Sequence, residues 1–410
     1  IGKTTLLWQI ADFIYDNFTQ EVYFFHLGDL RKFDIGVAEI QLAFEKYIIK
    51  SRLKSHREDI VILCDEIHED PNWARDLKVL YDLFPAAFVI ATGSSALLLQ
   101  STADLVTRMH IQHVFPLSFT EYLNLTQLDN NKRFKDKSEL KEILFNSDNI
   151  VDLENGIHNL FDKITTYYSE FENSSERIKD YIEYRNITRF SVLEIKSQIN
   201  NAIKDLVRRV IYEDIPKLKN DFNVHFSEKI LSRLAASDEI NIQTLSQSLG
   251  ISQNEIIENL EILSKAELLN SLYPFGGIDT KINKSQKYFF MSPSIRRVIL
   301  SPIIGIKGQD DLFAKLLEDT LVLYLKRLFM QDSVLSFSSQ KGKKNPDIII
   351  ETLPKPVIIE IGIGKQSSKQ ITKSKINYKY GIIINSKSKE ISFNKQDRII
   401  VLPLKYFLLL

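Results

Sequence analysis

Residues 60–66 read IVILCDE, five uninterrupted apolar residues closed by two acids. A strand with one solvated face alternates apolar and polar residues, and this run does not. It has the form of a strand buried on both faces, which occurs where helices cover both sides of a parallel sheet. Two more runs share that character, EVYFFHL at 21–27 and AAFVIATGSS at 86–95. Helical patterns lie between them. Leu7, Ile10, Phe13 and Ile14 recur at helical spacing, IQLAFEKYIIKSRLK (40–54) is amphipathic, and WARDLKVLYDLF (73–84) follows the acids. Strands alternating with helices predict a parallel α/β sheet over residues 1–125.

The texture then changes. Residues 126–225 are polar, carry charge runs such as DNNKRFKDKSELKE, and predict a helical extension. Within 226–300 the order helix, short helix, Gly-Ile-Ser turn, longer helix and strand-like KYFFM predicts a winged helix-turn-helix. Residues 301–410 open on the helix DDLFAKLLEDTLVLYLKRLF and continue into the hairpin PDIIIETLPKPVIIEIG. A Lys/Ser helix and the strands YGIIIN and IIVLP follow. This predicts a second, smaller α/β unit.

The chain begins IGKTTLLWQI. Gly2-Lys3-Thr4 has the form of the end of a phosphate-binding loop, G-x-x-x-x-G-K-[ST], whose start is expected upstream of residue 1. Lys3-Thr4-Thr5 leads directly into a helix, so helix N-terminal N–H groups would face phosphate. Gly2, Lys3, Thr4 and Thr5 are then candidate ATP contacts. Lys3 would reach the β- and γ-phosphates and Thr4 would place its hydroxyl on Mg2+. Asp65 would hold Mg2+ through water, and Glu66 would orient and deprotonate the attacking water. Thr92, Ser94 and Ser95 stand at the end of a neighbouring strand, where parallel sheets bind ligands. Each piece alone is weak: GKT arises by chance, and a terminal Asp-Glu pair often only caps a strand. Three pieces in order, each at the right end of its element, make ATP with Mg2+ the expected ligand. Cys64 reads as a packed strand residue, with nothing basic beside it in sequence. The absent part of the loop should bring its entering strand with it. The P-loop core is therefore expected to lack its first strand, to leave a gap between the two buried strands, and to bind ATP poorly as the chain stands.

GKTTLL, DEIHEDPNW, ATGSSALLL and RMHIQHVFPLSFTEYL resemble the archaeal and bacterial AAA-type P-loop ATPases that carry a C-terminal domain of unknown function with a restriction-endonuclease-like fold. Order and spacing agree through residue 125. VRRVIYEDIPKL resembles that family's helical segment, and GQDDLFAKLLEDTLVLYL, PDIII and VIIEIGIG resemble its end domain. The resemblance implies an ATP hydrolase in which Lys3, Thr4, Asp65 and Glu66 act as above. It also implies that Arg108 senses the γ-phosphate, in cis or across a subunit contact. The family commonly has Gly-Arg there and this chain has Thr107-Arg108, so an exposed surface arginine is the plain alternative. His68 stands where the family often has Gln; a loop histidine without function is the alternative. Trp73 is expected to anchor the following helix in the core.

The C-terminal hairpin carries its own acids. Pro346-Asp347 opens one strand and Glu360 ends the next, thirteen residues later. Those are the carboxylate positions of a PD-(D/E)XK nuclease, where a shared divalent ion activates water against a phosphodiester. Glu318, on the preceding helix, is a candidate third acid. The motif's lysine position holds Gly362, so Lys365 or Lys369 would have to reach back, and the fold is better supported than cleavage. The helix of the winged element that would enter a DNA groove carries Glu255, Glu258 and Glu261, with no basic residue before Lys265. That disfavours groove reading and favours packing or a protein contact.

Composition sets the outer bounds. A chain of 410 residues has room for roughly two to four domains. Its 53 Lys and Arg balance 53 Asp and Glu, so overall charge points to no partner. Residues 341–410 carry 14 Lys and Arg against 5 Asp and Glu. This basic end can meet DNA or an acidic partner, or it is a lysine-rich solvated face. The single cysteine excludes an intrachain disulfide and a cysteine-rich zinc site. No apolar run is long enough to span a bilayer. A cytoplasmic ATPase is expected, with homo-oligomerisation open, whose cycle moves the winged-helix and nuclease-like modules. The alternatives are an ATP-gated DNA-processing nuclease and a nucleotide-dependent binding module with negligible turnover.

Overall fold

The computed structural model describes residues 2–49, 60–84, 87–93, 109–126, 134–169, 174–216, 222–237, 241–304, 308–329, 334–338, 345–365 and 367–410. The chain divides into two compact units, residues 1–114 with 214–220, and residues 115–213 with 221–410.

In the first unit the elements run α1 (Lys3–Asn17), β1 (Val22–His26), α2 (Leu27–Leu30), α3 (Val37–Ala43), β2 (Ile60–Asp65), α4 (Trp73–Leu83) and β3 (Ala87–Ala91). The sheet order is β1-β2-β3 and both pairings are parallel. The unbroken apolar run of β2 is explained by its two covers. Val61 and Leu63 pack on Leu7, Ala11 and Ile14 of α1. Ile62 and Cys64 pack on the other side, with Val37 and Ile40 of α3 and with Trp73, Leu77 and Leu80 of α4. Full burial of a residue such as Ile62 or Leu63 contributes about 1.5–3 kcal/mol. The parallel register sets His26 opposite Asp65 and Cys64 opposite Ala91.

Two expectations need correction here. The gap between the buried strands does not exist, because β2 and β3 are direct hydrogen-bonded neighbours. The ladder even continues past β3: Thr92 N donates to Cys64 O and Ile67 N donates to Thr92 O, both at 2.8 Å. Bonded strands sit about 4.8 Å apart, which leaves no room for another between them. The helix expected over 40–54 begins earlier, at Val37, and continues from Phe44 to Ile49 as a π-helical turn. Its remaining residues lie outside those described.

The second unit begins with helices α5 (Phe119–Thr126), α6 (Lys137–Asn146), α7 (Ile150–Ser169) and α8 (Lys196–Arg209). Next come α9 (Val224–Ala236), α10 (Ile242–Leu249), α11 (Gln253–Lys265), β4 (Leu269–Pro274), β5 (Lys287–Phe290), α12 (Pro293–Leu300) and α13 (Gln309–Phe329). The end of the chain supplies β6 (Leu335–Phe337), β7 (Ile348–Ile350), β8 (Val357–Gly362), α14 (Lys369–Thr372), β9 (Gly381–Asn385), β10 (Ser392–Asn394) and β11 (Ile399–Pro403). Eight strands form one sheet in the order β10-β11-β9-β8-β7-β6-β4-β5. β7 is antiparallel to β6 and β8, and β9 is parallel to β8. β4 pairs antiparallel with β5 and parallel with β6, so one sheet draws strands from both sides of residue 300. Every residue of β8 is buried, Glu360 included. Among the described residues no helix is long and apolar enough to cross a membrane.

Candidate functional site

Helix α1 starts where the sheet of the first unit ends. Its N-cap, Gly2, holds φ 88°, a left-handed conformation that costs glycine nothing and other residues a good deal. That turn aims the next two side chains at the carboxyl ends of the strands. Lys3 Nζ donates to Gly93 O at 2.7 Å, just beyond β3. Thr4 Oγ1 donates to Asp65 Oδ2 at 2.6 Å, at the end of β2. The second oxygen of Asp65 accepts the hydroxyl of Thr92. Asp65 is 1% exposed, and hydroxyls rather than lysine or arginine occupy both its oxygens. Glu66 follows at φ 52°, a left-handed conformation that costs a glutamate roughly 1–3 kcal/mol. Its backbone N–H reaches Thr92 Oγ1 at 3.4 Å. One buried carboxylate with a hydroxyl on it suits Mg2+, which takes one or two protein oxygens and keeps several waters. A helix N-terminus and an ammonium beside it suit phosphate.

The other expected residues fall around this cluster. Thr5 is exposed on the first turn of α1. Ser94, Ser95 and Arg108 lie outside the described residues. His68 is turned to Glu69, 3.5 Å from its carboxylate, and its side chain is buried. Cys64 is buried and its thiol is pushed up to about 12 by burial, so it is no nucleophile. Trp73 is buried in the core against α3 and β2.

A second cluster stands at β7 and β8 in the other unit. Asp347 Oδ2 accepts the Ile361 N–H at 2.8 Å and lies 3.5 Å from Lys365 Nζ. The same ammonium pairs with Glu360 Oε2, while Glu360 Oε1 has no hydrogen-bond partner among the described residues. Burial, then the charge of Asp347, pushes Glu360 up to about 8 against the restraint of Lys365. Burial opposes the charge of Lys365 as well, but Asp347 and Glu360 outweigh it and raise its pKa. A Cβ at Gly362 would fall 3.1 Å from Lys365 Cδ, so the lysine stem lies over the bare glycine. Glu318 of α13 pairs with Lys287 at 3.2 Å, and its charge adds to the upward push on Glu360. No group of three His, Cys, Asp or Glu that could hold a metal ion occurs among the described residues.

Comparison with known proteins finds two domain models that match. Residues 1–123 match the model of an AAA domain, and residues 191–306 match a domain of unknown function, DUF8612. The whole chain aligns with "Uncharacterized protein MJ1637" of Methanocaldococcus jannaschii at 30% identity, covering 83% of that relative. The chain belongs to the MJ1637 family. A protein of Haemophilus influenzae, described only as "Uncharacterized protein", is 26% identical over 137 residues, which is 33% of this chain and 34% of that one. No solved structure matches.

For this member of the MJ1637 family the sequence missed one residue of the first cluster, His26. Its Nε2 lies 3.8 Å from both Asp65 Oδ2 and Glu66 Oε2. The available signal was its place: the last residue of a strand parallel to the one that ends in Asp65.

Proposed function

We propose that the protein binds ATP with Mg2+ and hydrolyses it at the carboxyl ends of β1, β2 and β3. The observation that carries this reading is the meeting of Lys3 and Thr4, from the start of a helix, with Asp65 and Gly93 at the ends of two parallel strands. The AAA-domain match over residues 1–123 supports it. In this reading the backbone at Gly2, Lys3, Thr4 and Thr5 faces phosphate, and the Lys3 ammonium exchanges the Gly93 carbonyl for phosphate oxygens. Thr4 and Asp65 hold Mg2+, which supplies charge neutralisation for the phosphates when bound. Thr92 keeps Asp65 oriented, and Glu66 orients water and takes its proton. Ser94 and Arg108 are assigned to the γ-phosphate side. Binding of a fluorescent ATP analogue to the natural full-length protein tests the site: Lys3→Ala abolishes it, and unchanged affinity contradicts the assignment.

The further reading is that turnover rearranges the modules of the second unit. Residues 226–300 act as a winged helix whose exposed Glu255, Glu258 and Glu261 suit a protein contact better than DNA. Residues 301–410, in the order α13, β6, β7, β8, α14, β9, act as an endonuclease-like domain. One observation favours DNA cleavage by it: Lys365 brings an ammonium to Asp347 and Glu360 although position 362 is glycine. Plasmid incubated with Mg2+, with and without ATP, is nicked by the wild type and left intact by Asp347→Ala in this reading. Equal cutting by both, or by neither, removes it.

A further inference from the structure

Three parallel strands of the second unit end in one row. Gly362 of β8 and Pro403 of β11 both stand in register with Asn385 of β9, between them. Parallel sheets bind ligands just outside such carboxyl ends. Here the residues that follow the three ends, Ile363, Ser386 to Ser388, Leu404 and Lys405, line one cavity of about 320 Å³. That volume falls within the range of small-molecule sites, about 300–1,000 Å³. Asp347, Glu360 and Lys365 do not line it, so it is separate from the carboxylate cluster of β7 and β8.

A buried side chain sets the loop after β9. Asn385, 1% exposed, accepts the Lys387 and Ser388 N–H groups at 2.9 and 3.2 Å and donates to Lys365 O at 2.9 Å. Ser386 N donates to Gly362 O at 3.2 Å, which ties the loop to β8. The Lys387 stem runs past Gly364, where a Cβ would stand 3.7 Å from its Cδ. Lys387 and the half-buried Lys405 both line the cavity, and neither has a carboxylate partner among the described residues. Lys405 Nζ stands instead 5.7 Å from the ring centroid of Tyr168 and 5.6 Å from that of Tyr406, which orders the side chain without neutralising it.

The helical wall has a different character. Phe313 of α13 and Ile178 of the short helix Ser174–Asp180 add an apolar surface to that of Ile363 and Leu404. Asp310, in the first turn of α13, and Glu183 bring two acids. Lys179, the third lysine of the lining, stands 3.9 Å from Glu183 and is balanced by it. A polyanion would be repelled by those acids. A molecule with one phosphate at the strand ends, a flat ring on the apolar wall and hydroxyl or amino groups that donate to the acids meets every part of the lining.

We propose that this cavity is a binding site for a small ring-bearing phosphomonoester of the nucleoside monophosphate class. Lys387, Lys405 and the Ser386 hydroxyl take the phosphate, and the ring lies against Phe313, Ile178 and Leu404. Glu183 and Asp310 accept from the ligand's hydroxyl or amino groups. The site needs neither the ATP site of the first unit nor cleavage at Asp347.

The test uses the natural full-length protein carrying Lys3→Ala, so that the nucleotide site of the first unit does not contribute. Titration calorimetry with AMP, GMP, CMP and UMP shows saturable binding of at least one of them, one per chain, with Kd below about 1 mM. Lys387→Gln and Lys405→Gln each weaken it roughly tenfold or more, the scale of one charge-assisted hydrogen bond. Ser386→Leu, which fills the cavity from the loop, abolishes it. Lys387 is exposed, so its substitution leaves the melting temperature unchanged and the loss of binding is read on a folded protein. Absence of saturable binding for all four nucleotides overturns the proposal, and so does binding indifferent to Lys387→Gln. Inorganic phosphate that binds as tightly as the best nucleotide overturns the role given to the apolar wall. A single-stranded oligonucleotide that binds at these lysines more tightly than any mononucleotide marks a nucleic-acid surface and overturns the small-molecule site.

Discussion

Glu360 is a buried carboxyl with a raised pKa, and the perturbation predicts a pH dependence. Its ordinary value of 4.5 rises to about 8, first through burial and then through Asp347, with Lys365 opposing. A raised folded-state value means that the native state binds a proton the unfolded chain has released. The contribution is fully favourable below about pH 4.5 and is lost as pH climbs through about 8. Wild-type melting temperature, measured against Glu360→Gln at each pH, should therefore fall between those limits; a constant difference contradicts the account. Lys365 bridges both acids and its side chain is 20% exposed. Lys365→Met should cost about 3 kcal/mol above pH 8, where Glu360 is ionised and would be left buried without its cation, and less at pH 5, where Glu360 holds its proton; urea unfolding at the two pH values checks this. Asp347 and Glu360 were legible because each sits at the end of an apolar run. Lys365 was one of two lysines that sequence could not separate, because only geometry shows its stem folding back over Gly362.

At the scale of elements, the second unit is tied together by a buried ion pair. Arg296 of α12 and Asp319 of α13 are 1% and 0% exposed. Arg296 Nε donates to Asp319 Oδ2 at 2.6 Å and its NH2 donates to Oδ1 at 3.0 Å. Oδ1 also accepts the Phe290 N–H of β5 at 2.9 Å, so one carboxylate joins a strand and two helices. Asp319→Ala should destabilise by about 3–5 kcal/mol in urea unfolding, since it leaves a buried guanidinium unpaired. Arg296→Met combined with Asp319→Leu should recover much of that; additive losses would contradict a desolvation origin. Neither residue stands out in sequence. The elements that were legible carry local signals: Asn241 and Ser252 cap α10 and α11, and Gly250, at φ 68°, ends α10. β4 was not legible. Its sequence, LNSLYP, mixes Asn, Ser and Pro into the run, and its partners β5 and β6 are distant in the chain.

For the whole molecule, sequence order and spatial grouping differ. Four consecutive parts were expected, and the chain forms two compact units, the second of which carries a sheet shared across residue 300. Pairings between distant strands leave no local mark, so this level was the least accessible from sequence. The first unit was the most accessible, because β2 announces both its double burial and the acids at its end. The register of its neighbours was not: the expected gap beside β3 failed because strand adjacency cannot be read from apolar content. The account of what the molecule does rests on Glu66 acting as base next to a nucleotide held by Lys3, Thr4 and Asp65. ATP affinity and single-turnover hydrolysis, measured on the natural full-length protein and on Glu66→Gln, test that most directly. The account predicts ATP binding within a few-fold of wild type and hydrolysis slower by about 10²-fold or more. Hydrolysis by Glu66→Gln at the wild-type rate would contradict it.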